Sequence, residues 1–210
     1  MGGRGSSSGM RGKGFLRVRN GASRSEQLDV SALAGYPVNR KGEFETFLNM
    51  KDNKVEYAYL IDKNGTVVAG AKGGRHSVGV AYNESQEGMT LTHNHPSTYG
   101  GTFSEADISH LTNANLGQMR AVAKEGTYKM VATKKANPKG LNQALARDSK
   151  RIREQGAKNM AKVKQGTMNK RQYSSARRKA YVDTIHSWYQ KNASKYGYNY
   201  TFTPNKDYNI

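Results

Sequence analysis

Apolar and polar positions alternate in short bursts through the middle of this chain and give way to helical spacing beyond Pro138. Val55 to Asp62 and Thr66 to Ala71 flank Lys63-Asn64-Gly65. Asn-Gly accepts the positive φ of a tight turn, so this spacing predicts a hairpin. His76 to Tyr82 alternates weakly and is read as a further short strand, and Met89 to His95 as another. Ser104 to about Leu116 has helical spacing, with Gly117 placed to close it. Met119 to Ala123 and Thr127 to Thr133, joined by Lys124-Glu125-Gly126, form a second hairpin. Ahead of these, Ser25 to Ala34 reads as a short helix, Pro37 to Lys41 as a turn, and Phe44, Phe47 and Leu48 as the first anchors of a compact unit.

Beyond Pro138 the apolar positions Leu141, Leu145, Ile152, Met160 and Val163 make a thin stripe on a basic helix, with a break expected near Gly156. A better helix runs from Gln172 to Tyr196, carrying Tyr181, Ile185, Trp188 and Tyr189 near 3.6 periodicity, and Gly197 is its natural stop. The aromatic end, Tyr198 to Phe202, suits an edge strand or a docked tail. Three regions follow: a flexible Gly/Ser/Arg-rich arm over 1–24, a compact domain over 25–137, and a basic helical extension with an aromatic tail over 138–210.

Charge sharpens this division. The net charge of +18 splits into +6 over residues 1–42, −2 over 43–133 and +14 over 134–210. Basic flanks around a nearly neutral middle make nucleic acid a candidate partner, with salt-sensitive binding, against the plainer reading of a solvated charged surface. Arg177-Arg178-Lys179 illustrates the choice, being either a phosphate-contacting patch or a solvated face. Trp188 and its neighbouring tyrosines read as core, with stacking on bases as the alternative. The chain has no cysteine, which excludes disulfides, thiolate metal sites and a cysteine nucleophile. No apolar run approaches the roughly 20 residues of a membrane span. Met1 to Gly14 lacks the apolar core of a secretory signal, so the expected setting is cytoplasmic, in a host cell, or virion-associated.

The chemistry concentrates in His93-Asn94-His95-Pro96 and the following Ser104-Glu105-Ala106-Asp107. Histidines at i and i+2 share one face of a strand, and a carboxylate arriving from the next helix begins an open zinc site held by nitrogen and oxygen. Without a metal, Ser104 to Asp107 is equally a helix cap with an acidic residue in the first turn. His76 is a weaker candidate for lining such a site. His110 is expected to face solvent, and His186 to pack or lie on the surface.

Glu56, His93-x-His95-Pro96 and Ser104-x-x-Asp107, in that order, resemble the JAMM (MPN+) metalloprotease signature, and the stretch His93 to Ser97 is similar to its RadC-like branch. Asp62 to Gly65, Thr92 to Pro96 and Phe103 to Ile108 also resemble, in order, domains of bacteriophage minor head proteins and related mobile-element proteins. The likeness covers about residues 44–133. Eight residues, Pro96 to Phe103, separate the second histidine from the serine, where the family has seven; Gly100-Gly101 gives this loop room to absorb one more.

The resemblance implies an α/β (α+β-like) fold, a mixed curved sheet flanked by helices; it leaves both flanks unexplained, and the basic helical C-terminal extension rests on the spacing and charge beyond Pro138 alone. It implies that His93, His95 and Asp107 ligate Zn2+ and leave a fourth position for water, whose pKa falls to about 7. Glu56 would accept the proton from that water, with Glu43 and Glu45 as alternatives. Ser104 would help hold the developing oxyanion, a role worth roughly 3 kcal/mol. The expected function is zinc-dependent hydrolysis of a peptide or isopeptide amide in a protein substrate, in a phage or mobile-element setting. Two alternatives stay open: a nucleic-acid-associated virion structural or accessory protein that keeps the fold without catalysis, and a metal-dependent nuclease using the same histidines.

Overall fold

A computed structural model describes residues 25–31, 54–96, 101–161 and 169–205. Its centre is a seven-stranded, mostly antiparallel open sheet. The strands are β1 (Glu26–Gln27), β2 (Tyr57–Ile61), β3 (Val67–Lys72), β4 (Thr90–Asn94), β5 (Gln118–Ala123), β6 (Gly126–Ala132) and β7 (Tyr198–Pro204), in the order β1-β3-β2-β4-β5-β6-β7. Only β4 and β5 run parallel, and helix α1 (Glu105–Asn113) makes the crossover between them. Two long helices, α2 (Pro138–Ala161) and α3 (Lys170–Asn192), follow β6, and a 3-10 turn over Ala193–Tyr196 leads into β7. Among the described residues no helix is long and apolar enough to cross a membrane.

The strands alternate as half-buried strands do, and the alternation sorts two cores. Ala58, Leu60, Leu91, Met119, Ala121, Tyr128 and Met130 face the helices and join Ile108, Leu111, Leu141, Ile185 and Tyr189. Tyr59, Ile61, Val67 and Val122 point the other way, where Leu28 and Val30 pack on them. By the same rule His93 shares the helix-covered face with Leu91, while Thr92 and Asn94 face away.

Both expected hairpins form, the first between β2 and β3 and the second between β5 and β6. The aromatic end forms an edge strand: β7 pairs with β6 from Tyr198 to Pro204. Gly197, at φ 75°, ends the helical run as expected. The described residues of 138–161 and 169–205 thus share the sheet and the core of the preceding unit.

Four local expectations change. The spacing predicts a helix over Ser25 to Ala34; among the described residues of that stretch, 25–31, Glu26–Gln27 pair with β3 instead, and Leu28 and Val30 pack in the second core. His76 to Tyr82 is not a strand; the Gln27 side chain donates to Gly79 O (3.0 Å) and accepts from Ala81 N (2.8 Å), replacing a backbone partner. Helix α1 stops before Gly117, with Asn115 taking the left-handed turn at φ 52°. Helix α2 runs unbroken through Gly156, where a Cβ would lie 3.1 Å from the Tyr181 Cα, so this glycine lets two antiparallel helices touch. Phe44, Phe47, Leu48, Glu43, Glu45, the arm over 1–24 and Val163 lie outside the described residues.

The Gly156 crossing can be tested by overpacking. Gly156→Leu should destabilise the fold by about 2 kcal/mol, read as a lower urea midpoint, despite leucine's better helix propensity. An unchanged or raised midpoint would show that the helices do not meet there.

Candidate metal centre

The centre forms where β4 ends and α1 begins. The strand's two-residue period sets the imidazole of His93 on the helix-covered face, and His95 continues the same side one pleat further, its N–H donating to Val122 O (2.8 Å). Their Nε2 atoms lie 3.0 Å apart. Asp107 enters from the first turn of α1, with Oδ1 3.4 Å from His93 Nε2 and Oδ2 3.7 Å from His95 Nε2. All three side chains are largely enclosed, at 4%, 14% and 21% exposure.

These three side chains form a group able to hold a metal ion. A tetrahedral ion bound at 2.0–2.1 Å would hold its ligand atoms about 3.3 Å apart, close to the three separations found here. Two imidazole lone pairs facing each other at 3.0 Å need either a shared proton or a cation between them, so the donor set fits a divalent metal. His93 Nδ1 is buried and has no hydrogen-bond partner among the described residues. His95 Nδ1 donates to Gly101 O (2.9 Å), which fixes the tautomer that leaves Nε2 free as a ligand.

Ser104 serves α1 as its cap. Its Oγ accepts from Asp107 N (3.2 Å), while its own N–H and Oγ–H donate to Asp107 Oδ2 at 2.7 and 2.8 Å. The cap reading and the ligand reading therefore coexist, because the capping box is what aims the carboxylate. Burial works against the Asp107 charge, yet His93 and then His95 outweigh it and hold this carboxyl well below the usual range. Burial also depresses His95, but Asp107, Glu56 and the Gly101 carbonyl outweigh it, so this ring keeps its proton above its ordinary value.

Glu56 lines the same cleft, of about 450 Å³, as the three candidate ligands. Burial raises its pKa, opposed by the attraction of His95 and His93. Its backbone is pinned on both sides: its N–H donates to Gly74 O (2.8 Å), and Gly73 N donates to its carbonyl (2.7 Å). Asn94 completes the clamp from the opposite face of β4, accepting from Tyr57 N (2.5 Å) and donating to Val55 O (3.1 Å).

Asn94 is one of several contributors that sequence reasoning missed. Glu125 is another: its Oε1 accepts from Gly101 N (2.8 Å) and Tyr128 OH (2.8 Å), holding the residue whose carbonyl orients His95. Helix α3 supplies Arg178, Tyr181 and Val182 to the cleft. Asn94 had a readable signal, as a polar residue between two histidines on a buried strand. Glu125 reaches the site through the tertiary fold and had none; Arg178 was legible as part of a basic patch, but not as a residue of this cleft. His76 does line the cleft. His110 departs from the solvent-facing expectation: it is half-buried on the cleft wall, bound through Nε2 to Gln86 Oε1 (2.9 Å). His186 packs against Tyr128 and Phe202 and pairs through Nδ1 with Tyr200 OH (2.7 Å). Compared with protein-family models, with curated proteins and with solved structures, the chain matches none.

Two measurements follow from this geometry. A metal needs the neutral His95 ring, whose surroundings hold its proton above the ordinary imidazole value. Zinc affinity, measured against a chromogenic chelator, should therefore fall as pH drops through that value, approaching about tenfold per unit, with proton release on binding. A flat profile between about pH 5.5 and 8 would remove His95 from the ligand set. Glu125→Ala frees Gly101 and should weaken zinc binding by about tenfold. Unchanged affinity in that variant would show that the Gly101 carbonyl is held by other means.

Proposed function

We propose that this chain is a zinc-dependent peptidase of JAMM type, hydrolysing a peptide or isopeptide amide, with the RadC-like variant of that fold and a phage or mobile-element origin. The observation that carries this reading is the convergence of His93, His95 and Asp107, with Glu56 in the same cleft. A closed structural site would use four protein ligands; three ligands beside an open cleft suit a site that admits a reactant. When bound, zinc would supply an acidified water at neutral pH and polarise the substrate carbonyl.

The chain's own groups divide the remaining work. The Glu56 carboxylate takes a proton from the attacking water and returns it to the leaving amine. Burial favours this exchange, because it brings the carboxyl closer to the proton affinity of its partner. Asn94, Gly73 and Gly74 hold Glu56 at a fixed place in the cleft. The Ser104 hydroxyl, exposed and lining the cleft, donates to Asp107 and would turn to the carbonyl oxygen as charge develops there. The apolar lining from Val78, Val80, Leu91 and Ile185 excludes water around the peptide.

Zinc-loaded protein should cleave a mixed decapeptide pool, read by mass spectrometry. Glu56→Gln should retain one zinc per chain and lose at least about a hundredfold of the rate. His95→Ala should lose both metal and cleavage. Cleavage that survives in Glu56→Gln with zinc retained would rule out this assignment of the base. No cleavage by fully loaded wild-type protein would remove the peptidase reading.

A further inference from the structure

The cleft carries two charges that the proposed hydrolysis does not use. Arg75 lines it from the segment after β3, and Arg178 from α3. Both are exposed, and neither has an ion-pair or hydrogen-bond partner among the described residues. Several other cations on the two long helices are engaged. Arg153 pairs with Glu105 (3.0 Å), Arg151 with Asp148 (3.2 Å), and Lys179, the residue after Arg178, turns to Asp183 (3.0 Å). Arg178 is close enough for its charge to act on Glu56. The cleft that both guanidiniums line also takes apolar side chains from Val78, Val80, Tyr181 and Val182.

We propose that Arg178 and Arg75 form a carboxylate-recognition subsite, so that the preferred ligand is a peptide with acidic side chains flanking apolar ones. This rests on the peptidase reading and names its substrate class. A guanidinium offers two parallel N–H donors that match a carboxylate, a planar fork that an uncharged amide does not satisfy as well. A nucleic-acid backbone fits less well. Its evenly spaced phosphates would have to pass Glu56 and Asp107, whereas a peptide places charge only where a guanidinium receives it. The valines and Tyr181 likewise suit side chains better than phosphates.

Binding is measured by calorimetry on the zinc-loaded full chain in a Glu56→Gln background, which prevents turnover. The probes are a decapeptide pool with glutamate at its central positions, the matched glutamine pool, and oligothymidylate. The glutamate pool should bind about tenfold tighter than the glutamine pool. Arg178→Gln should cut that preference to less than about threefold, with Arg178→Lys intermediate, at unchanged zinc content and circular dichroism. Equal binding of the two pools overturns the subsite, as does a preference that persists in the Arg75→Gln, Arg178→Gln double variant. Oligothymidylate that displaces the glutamate pool in an Arg178-dependent way overturns it in favour of a nucleic-acid ligand. Cleavage of both pools at equal rates by the otherwise wild-type chain would sink the subsite and leave the peptidase reading standing. Selective binding without cleavage would do the reverse.

Discussion

A carboxylate placed against two imidazoles inside a fold is expensive unless all three are held by other groups, because each enclosed charge forgoes several kcal/mol of hydration. Asp107 meets that condition twice over. Its Oδ2 accepts two hydrogen bonds from Ser104 before it faces His95, and the first turn of α1 places it at the positive end of a helix. The two histidines are fixed by the pleat of β4, which is paired on both edges, with β2 and with β5. Neither histidine can shift by a register step of β4 without turning a buried side chain to the wrong face. A sheet with one parallel pair also makes this the natural place for a site. The β4–α1–β5 crossover opens at the carboxyl end of β4, where a strand end and a helix start converge.

Around that centre, hydrogen bonds carry position outward to residues that never touch it. Asn94 grips Val55 and Tyr57, so the strand that bears the histidines also sets the place of Glu56. Glu125 grips Gly101, and Gly101 orients His95, so the β5–β6 turn is tied to the metal group. Thr102 bonds Tyr200 (2.5 Å), and Tyr200 bonds His186, which links the same loop to β7 and α3. Buried polar pairs of this kind stabilise little in net terms, yet each is costly to leave half-made. Their effect is therefore to exclude alternative placements of the cleft loops.

The parts of this arrangement that obey a local rule were legible in the sequence. His93 and His95 follow from a period of two, Ser104 and Asp107 from the capping spacing, and the hairpins from Asn64-Gly65 and Lys124 to Gly126. The aromatic run over Tyr198 to Phe202 left an edge strand or a docked tail open, and the pairing with β6 makes it the strand. What was not legible depends on distant partners. Glu26 and Gln27 form a strand because β3 offers an open edge, and Gln27 then takes the hydrogen bonds that His76 to Tyr82 would otherwise have sought from a neighbouring strand. Gly156 looked like a break because a glycine weakens an isolated helix, whereas here it serves the approach of Tyr181. Arg178 reaches the cleft only because α2 and α3 fold back over the sheet, and nothing local to residues 177–179 says so.

The C-terminal basicity illustrates why charge must be read face by face. As a sum, +14 over residues 134–210 suggests a polyanion partner. In the folded chain, Asp148 alone takes Arg147, Arg151 and the indole N–H of Trp188, which also anchors α3 to α2. Arg153 crosses to Glu105 at the start of α1, next to the candidate ligands. Surface pairs of this kind contribute at most about 1 kcal/mol each, so they do not explain the fold's stability. They do remove those cations from the pool available to a ligand. The charge that remains free beside the cleft is local, held on Arg75 and Arg178, and it lies next to apolar side chains from the same helix that contributes Ile185 and Tyr189 to the core. The helical segment beyond Pro138 is thereby one wall of the candidate site, and its sequence carries both the packing that fixes that wall and the charge that would select what enters.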